Sequence, residues 1–155
     1  MNECWNYFRY ATLEEVDKIK AIIRSHNKWF SHINDEHFYK KIKKKECIFE
    51  SGIVITFRVT IKNQYLGNYN VGPGNTILEQ IAKNKSVKNK KFAEHIFIKF
   101  KNCSTGELYL AVNIKNEKEI NFYERMGMIK ITETKLDNSR ETGFIFKSNK
   151  KENYN

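Results

Sequence analysis

Between Glu107 and Met128 the chain reads ELYLAVNIKNEKEINFYERMGM, the stretch that most narrows what it can fold into. Leu108, Leu110 and Val112 alternate with Tyr109 and Ala111, which is the two-residue period of a strand. Past Asn113 the period changes. Ile120, Tyr123 and Met126 or Gly127 recur at three- and four-residue steps, as on one face of a helix. Gly127 stands where a helix end needs a residue tolerant of left-handed dihedrals, and Met128 to Thr132 resumes the alternation. The segment predicts strand, short loop, helix, glycine stop and strand. Within it Asn116, Phe122, Tyr123 and Gly127 keep the spacing N-x5-F-Y-x3-G.

The remainder alternates between helical and extended patterns. Tyr7 to Tyr10 reads as a short strand. Thr12 and Glu15 form a capping-box pair ahead of Leu13, Val16, Ile19, Ile22 and Ile23, so a helix should run to about Ser25. A second helix is expected over Asp35 to Lys43, with Phe38 and Ile42 inward and lysines outward. Cys47 to Phe49 and Ile53 to Ile61 predict a hairpin about Ser51-Gly52. Asn63 to Asn75 (NQYLGNYNVGPGN) holds the one proline and reads as a long loop of the kind that carries binding function. Thr76 to Ala82 should be a strand, and Lys88 to Phe100 a helix with Phe92, Ile96 and Phe100 on one face. Glu141 to Phe146 closes the series as a last strand. The order is β-α-α-β-β-β-α-β-α-β-β, a mixed α/β arrangement in one domain over residues 1–148, with a polar tail at 149–155.

At 155 residues and 40% hydrophobic content the chain can bury a core, which excludes a disordered polymer. Asn2, Glu3 and Arg9 interrupt any apolar opening run, so neither signal peptide nor membrane span is expected. Cys4, Cys47 and Cys103 are odd in number, far apart and without CxxC spacing, which predicts a reduced, cytoplasmic protein. The formal charge of +10 leaves a nucleic-acid partner open. Yet the basic residues are spread along the chain, and abundant Lys and Asn are what an AT-rich genome writes into any protein. His26, His32 and His37 lie six and five residues apart, share no helical face, and have no cysteine or carboxylate set to complete them; no metal site is expected. The Ser25 to His32 stretch, with Trp29 and Phe30, reads either as core packing or as lining of an acceptor cleft.

The diagnostic segment resembles the late strand–helix unit of the GNAT acetyltransferase superfamily, L-x-V-x3-N-x2-A-x2-F-Y-x3-G-F. Leu110, Val112, Asn116, Phe122, Tyr123 and Gly127 match it, and Met128 stands in for the last Phe. Glu119 occupies the position usually held by Ala. The element order resembles the GNAT order over essentially the whole chain, and Arg9-x-Ala11-Thr12 resembles the family's opening.

That resemblance implies a GNAT-like N-acyltransferase moving an acetyl group from acetyl-CoA to an amine. The family's pyrophosphate turn, R/Q-x-x-G-x-G/A, would fall on Lys88, Asn89, Lys90, Lys91, Phe92 and Ala93, with Lys91 in place of the central glycine. Such a turn works because a helix N-terminus offers free N–H groups and a positive dipole end to phosphate. Glycine there allows close approach of backbone to phosphate, whereas a lysine must substitute its ammonium. Backbone amides about Ala82, Lys83 and Asn84 would hold pantetheine and polarise the carbonyl. Glu79 reads as a base for the attacking amine or as a strand-edge surface carboxylate. Tyr123 is placed to protonate the departing thiolate, and Asn116 to bond the pantetheine or cap the helix. Two alternatives stand beside this. One is a phage Mom-type relative that modifies nucleobases or binds DNA; the other is a non-catalytic binding module on the same fold.

Overall fold

The computed structural model describes residues 3–26, 34–136 and 140–150, all but Lys90 with their side chains. They fall into two compact units, one within residues 1–58 and 79–96, the other within 59–78 and 97–155.

The first unit opens on a 3-10 turn, Glu3–Tyr7, where a strand at Tyr7 to Tyr10 was expected. Trp5 explains the difference. It is buried and stacks on Phe57 with ring centroids 4.8 Å apart, and its carbonyl accepts the Tyr10 hydroxyl at 2.6 Å. Only Tyr10 keeps an extended partner, as an isolated bridge to Ile48. A second 3-10 turn, Leu13–Glu15, passes into α1 (Val16–Arg24), and the Thr12 amide donates to Glu15 Oε1 at 3.0 Å, the return arm of the expected box. Helix α2 (Asp35–Lys43) is capped by Asn34, whose Oδ1 accepts from the His37 amide at 3.0 Å.

Strands β1 (Cys47–Glu50) and β2 (Ile53–Val59) pair antiparallel, Cys47 opposite Thr56 and Glu50 opposite Ile53. The turn between them has positive φ at both Ser51 (52°) and Gly52 (77°), the geometry that matches strand twist in a two-residue hairpin. A Cβ on Gly52 would stand 2.5 Å from Val87 Cγ2, so any other residue there must displace Val87 as well as bear a positive φ. Ile19, Ile22 and Ile23 of α1 and Phe38 and Ile42 of α2 bury against Cys47, Phe49, Val54 and Ala82. Burial of each such side chain contributes roughly 1.5–3 kcal/mol, which is what holds two short helices that would be marginal alone.

The second unit is built on β6 (Leu108–Asn113), β7 (Ile129–Lys135) and β8 (Thr142–Lys147). Strand β8 pairs antiparallel with both neighbours, Leu110 opposite Phe146 and Lys135 opposite Thr142. Strand β5 (Thr76–Lys83) starts in this unit, parallel to β6 at Thr76–Leu108 and Ile77–Tyr109, and its residues from Glu79 belong to the first. The ladder order is β1-β2-β5-β6-β8-β7, mixed but mostly antiparallel. The stretch expected as one long loop instead contains a hairpin of β3 (Gln64–Leu66) and β4 (Tyr69–Val71). Strands of three residues are too short to show a period. The Asn68 amide donates to Thr134 Oγ1 at 2.7 Å, and Leu66, Tyr69 and Val71 pack with Ile77, Tyr109 and Ile145.

Helix α3 (Lys90–Cys103) is shared, residues up to Ile96 lying in the first unit and Phe97 onward in the second. Helix α4 (Glu117–Arg125) runs where the spacing placed it. It stops at Gly127, φ 81°, with the Met128 amide donating back to the Tyr123 carbonyl at 3.0 Å. Lys101 donates to the Met126 carbonyl at 2.7 Å, a cation at the negative end of the helix dipole.

Candidate functional site

In the first unit the end of β5 and the segment after it carry most of the sequence-predicted residues. Asn84 does more than offer an amide: its N–H is already bonded to the Gly52 carbonyl at 2.8 Å, and its side chain accepts from the Ser86 amide at 3.1 Å. Ala82 is buried and Lys83 half-buried. Asn89 is the N-cap of α3, its Oδ1 accepting from the Lys91 amide at 2.9 Å. The Lys91 N–H is thus occupied by the cap. Lys85, Lys88 and Lys91 are exposed, and no acidic residue occurs between Lys83 and Ala93. Phe92, expected inward on the helix face, is 45% exposed.

Glu79 has partners that the sequence did not reveal. Lys41 of α2 pairs with its Oε1, and Arg58 Nη1 donates to Oε2 at 2.9 Å. Lys41 is buried and also donates to the Phe57 carbonyl at 2.9 Å and stands 3.5 Å from Glu46 Oε1. Beside them Thr56 donates to Gln80 Oε1 at 2.6 Å, both buried. Both Glu79 oxygens thus face cations. The cluster joins α2, β2 and β5 by charge, which corrects the reading of Glu79 as a surface carboxylate at a strand edge.

In the second unit Asn116 caps α4, accepting from the Glu119 amide at 3.3 Å. This is the capping alternative of its two expected roles. Tyr123 is 4% exposed, ringed by Phe97 at 5.6 Å, Phe122 at 5.6 Å and Phe146 at 6.1 Å between centroids. Burial, and secondly the charge of Glu119, push its phenol well above the ordinary value near 10. Glu119 itself, one turn earlier, has its carboxyl pushed up to about 7 by burial. Sequence reasoning treated Glu119 only as a departure at a packing position. The available signal was a carboxylate four residues before the motif tyrosine.

The reading of three reduced thiols is corrected too. Cys4 and Cys103 are disulfide-bonded, and Cys47 is the free thiol, buried and pushed up to about 12 by that burial. His26 Nε2 lies 3.3 Å from the Lys83 carbonyl, while His32, Trp29 and Phe30 fall outside the described residues. Among the described residues no three His, Cys, Asp or Glu side chains converge on a metal position, and no helix is long and apolar enough to cross a membrane.

No family model matches the chain, and no curated protein matches it by sequence. Solved structures do match in fold. A GNAT-family acetyltransferase from Streptococcus agalactiae superposes with a TM-score of 0.70 at 13% identity, over 92% of this chain and 96% of that one. Naa20 of Chaetomium thermophilum, solved in complex with a bisubstrate analogue, gives 0.71 at 12% identity over 90% and 84%. NAA60 of Arabidopsis thaliana, solved in complex with acetyl-CoA, gives 0.62 at 14% identity over 90% and 96%. The chain has the fold of the GNAT acetyltransferases.

Proposed function

We propose that the chain is an N-acetyltransferase that takes acetyl-CoA and an amine. The observation that carries this is Asn116 capping the helix that bears Tyr123, at the family spacing and on the family fold. Support from neighbours includes NAA60 solved with acetyl-CoA and the NatB complex solved bound to CoA. In this reading the ammonium groups of Lys88 and Lys91 hold the pyrophosphate in place of the family's glycine-turn amides, with Asn89, Lys90, Phe92 and Ala93 forming the helix start around them. Ala82 and Lys83 hold the pantetheine. Tyr123 supplies a proton to the departing thiolate. Glu79 acts by keeping Arg58 and Lys41 in place.

Positioning of amine against thioester would supply much of the rate. Isothermal calorimetry with acetyl-CoA tests the assignment. Lys91→Glu should weaken binding by ~10-fold or more, since it replaces an attraction to phosphate by a repulsion, and Lys88→Glu by somewhat less. Equal affinity in the parent and both variants would remove the pyrophosphate from this turn.

The DNA-directed alternative draws on the exposed lysines of this segment and on the +10 charge. A sequence-selective duplex complex that survives moderate salt would favour it, because nonspecific binding by spread lysines weakens steeply as salt rises.

A further inference from the structure

Strand β5 ends at Lys83, and α3 starts at Lys90. The segment between them carries Lys85 and Lys88, both exposed, and no acidic residue. Like charges on so short a stretch repel one another, so its shape has to be set by what holds it. Two hydrogen bonds grip a single peptide group where the strand ends. The Asn84 N–H donates to the Gly52 carbonyl in the β1–β2 turn at 2.8 Å. The carbonyl of that same peptide group, which belongs to Lys83, lies 3.3 Å from Nε2 of His26, just past the end of α1. A carbonyl only accepts, so Nε2 carries the hydrogen and the imidazole is the donor. Val87 completes the turn. Its amide donates to the Asn84 carbonyl at 2.9 Å, and its side chain lies over Gly52, where a Cβ would stand 2.5 Å from Cγ2.

The two bonds differ in what the sequence must supply. The Gly52 carbonyl is backbone and comes with the hairpin. The bond to Lys83 needs a side chain with an N–H, brought from 57 residues away in the chain. A residue that only filled space at position 26 would leave the Lys83 carbonyl without this donor. His26 is therefore the side-chain half of the grip.

We propose that His26 is a positioning residue for acetyl-CoA: its Nε2–H holds the Lys83 carbonyl, fixes the peptide plane where β5 ends, and keeps the lysine-bearing turn beyond it in the arrangement that meets the pyrophosphate. The proposal deepens the acetyltransferase reading and rests on it. His26 takes no proton in the reaction; it acts on how often the turn is ready for the ligand. A turn released from one of two anchors spends part of its time in other arrangements, and the apparent dissociation constant rises by the inverse of the competent fraction. Loss of one hydrogen bond of ordinary net strength leaves that fraction at roughly one in five.

The test compares two substitutions in the full chain. His26→Gln keeps an N–H able to reach the carbonyl, and His26→Leu fills the space without one. In calorimetry with acetyl-CoA, His26→Leu should show a dissociation constant ~5-fold above the parent's, with His26→Gln within about twofold of the parent. Thiol release from saturating acetyl-CoA, with water standing in for the amine, should be equal in all three, since the role ends once the ligand is bound. Hydrogen exchange at the Asn84 amide, followed without ligand, should quicken in His26→Leu and not in His26→Gln. His26→Ala, also without a donor, carries the same expectations should the leucine variant not fold. Unchanged Asn84 exchange in the donor-less variant overturns the grip itself. Where the parent binds acetyl-CoA, equal affinity in His26→Leu, or an equal loss in both variants, overturns this role alone. A parent that does not bind acetyl-CoA overturns the acetyltransferase reading, and this role with it.

Discussion

Two glutamates, one in each unit, sit in opposite surroundings. Glu79 lies in the first, with Lys41 and Arg58 against its two oxygens, and its charge is matched on the spot. Glu119 lies in the second, partly buried one turn before Tyr123, where burial pushes its carboxyl up to about 7. The residue type is the same and the surroundings are opposite. A carboxylate between two cations is a joint between elements. A carboxyl taken out of water without a cation is poised to exchange its proton at neutral pH. The difference lies in what acts on each, two cations for Glu79 and burial for Glu119.

The largest effect expected is in the first unit. Lys41→Met removes one cation from a mostly buried cluster and should lower unfolding stability by ~3 kcal/mol or more at pH 7, measured by urea denaturation. A loss within a few tenths would mean that the cluster is solvated and the contrast with Glu119 false.

In the second unit the sign reverses. The folded-state pKa of Glu119 is raised from 4.5 to about 7, so its stabilising contribution is complete below 4.5 and is lost as pH rises through 7. Glu119→Gln should therefore unfold like the parent at pH 4 and be more stable at pH 9, by at most ~3 kcal/mol given the partial exposure. A variant less stable than its parent at pH 9 would show Glu119 held by a cation after all.

Tyr123→Phe keeps the ring and its contacts with Phe97 and Phe146, so melting temperature and acetyl-CoA affinity should barely move. Loss of the hydroxyl should lower kcat by ~10²-fold. Parental turnover in this variant would make Tyr123 a packing residue.

How much of this was legible in the sequence follows from how local each signal is. Helix α4, its Asn116 cap and its Gly127 stop were readable because period, cap and glycine all lie within a dozen residues. Helix α2 and the hairpin about Ser51-Gly52 were readable for the same reason. The ion cluster was not, since Lys41, Arg58 and Glu79 come from three elements and nothing in the sequence near any one announces the others. Tyr7 to Tyr10 read as a short strand, but burial of Trp5 against Phe57 overrode that propensity. The Asn89 cap falls on the same residues as the expected phosphate turn, and asparagine just before a helix was its one local signal.

The central claim is that acetyl-CoA is this chain's co-substrate, and a thermal melt with and without it tests that most directly. At ~100 times its dissociation constant the ligand should add about 2.7 kcal/mol to the folded state, and the melting temperature should climb with concentration. A melting temperature unmoved by acetyl-CoA up to millimolar concentration would contradict the account and leave a GNAT fold put to another use.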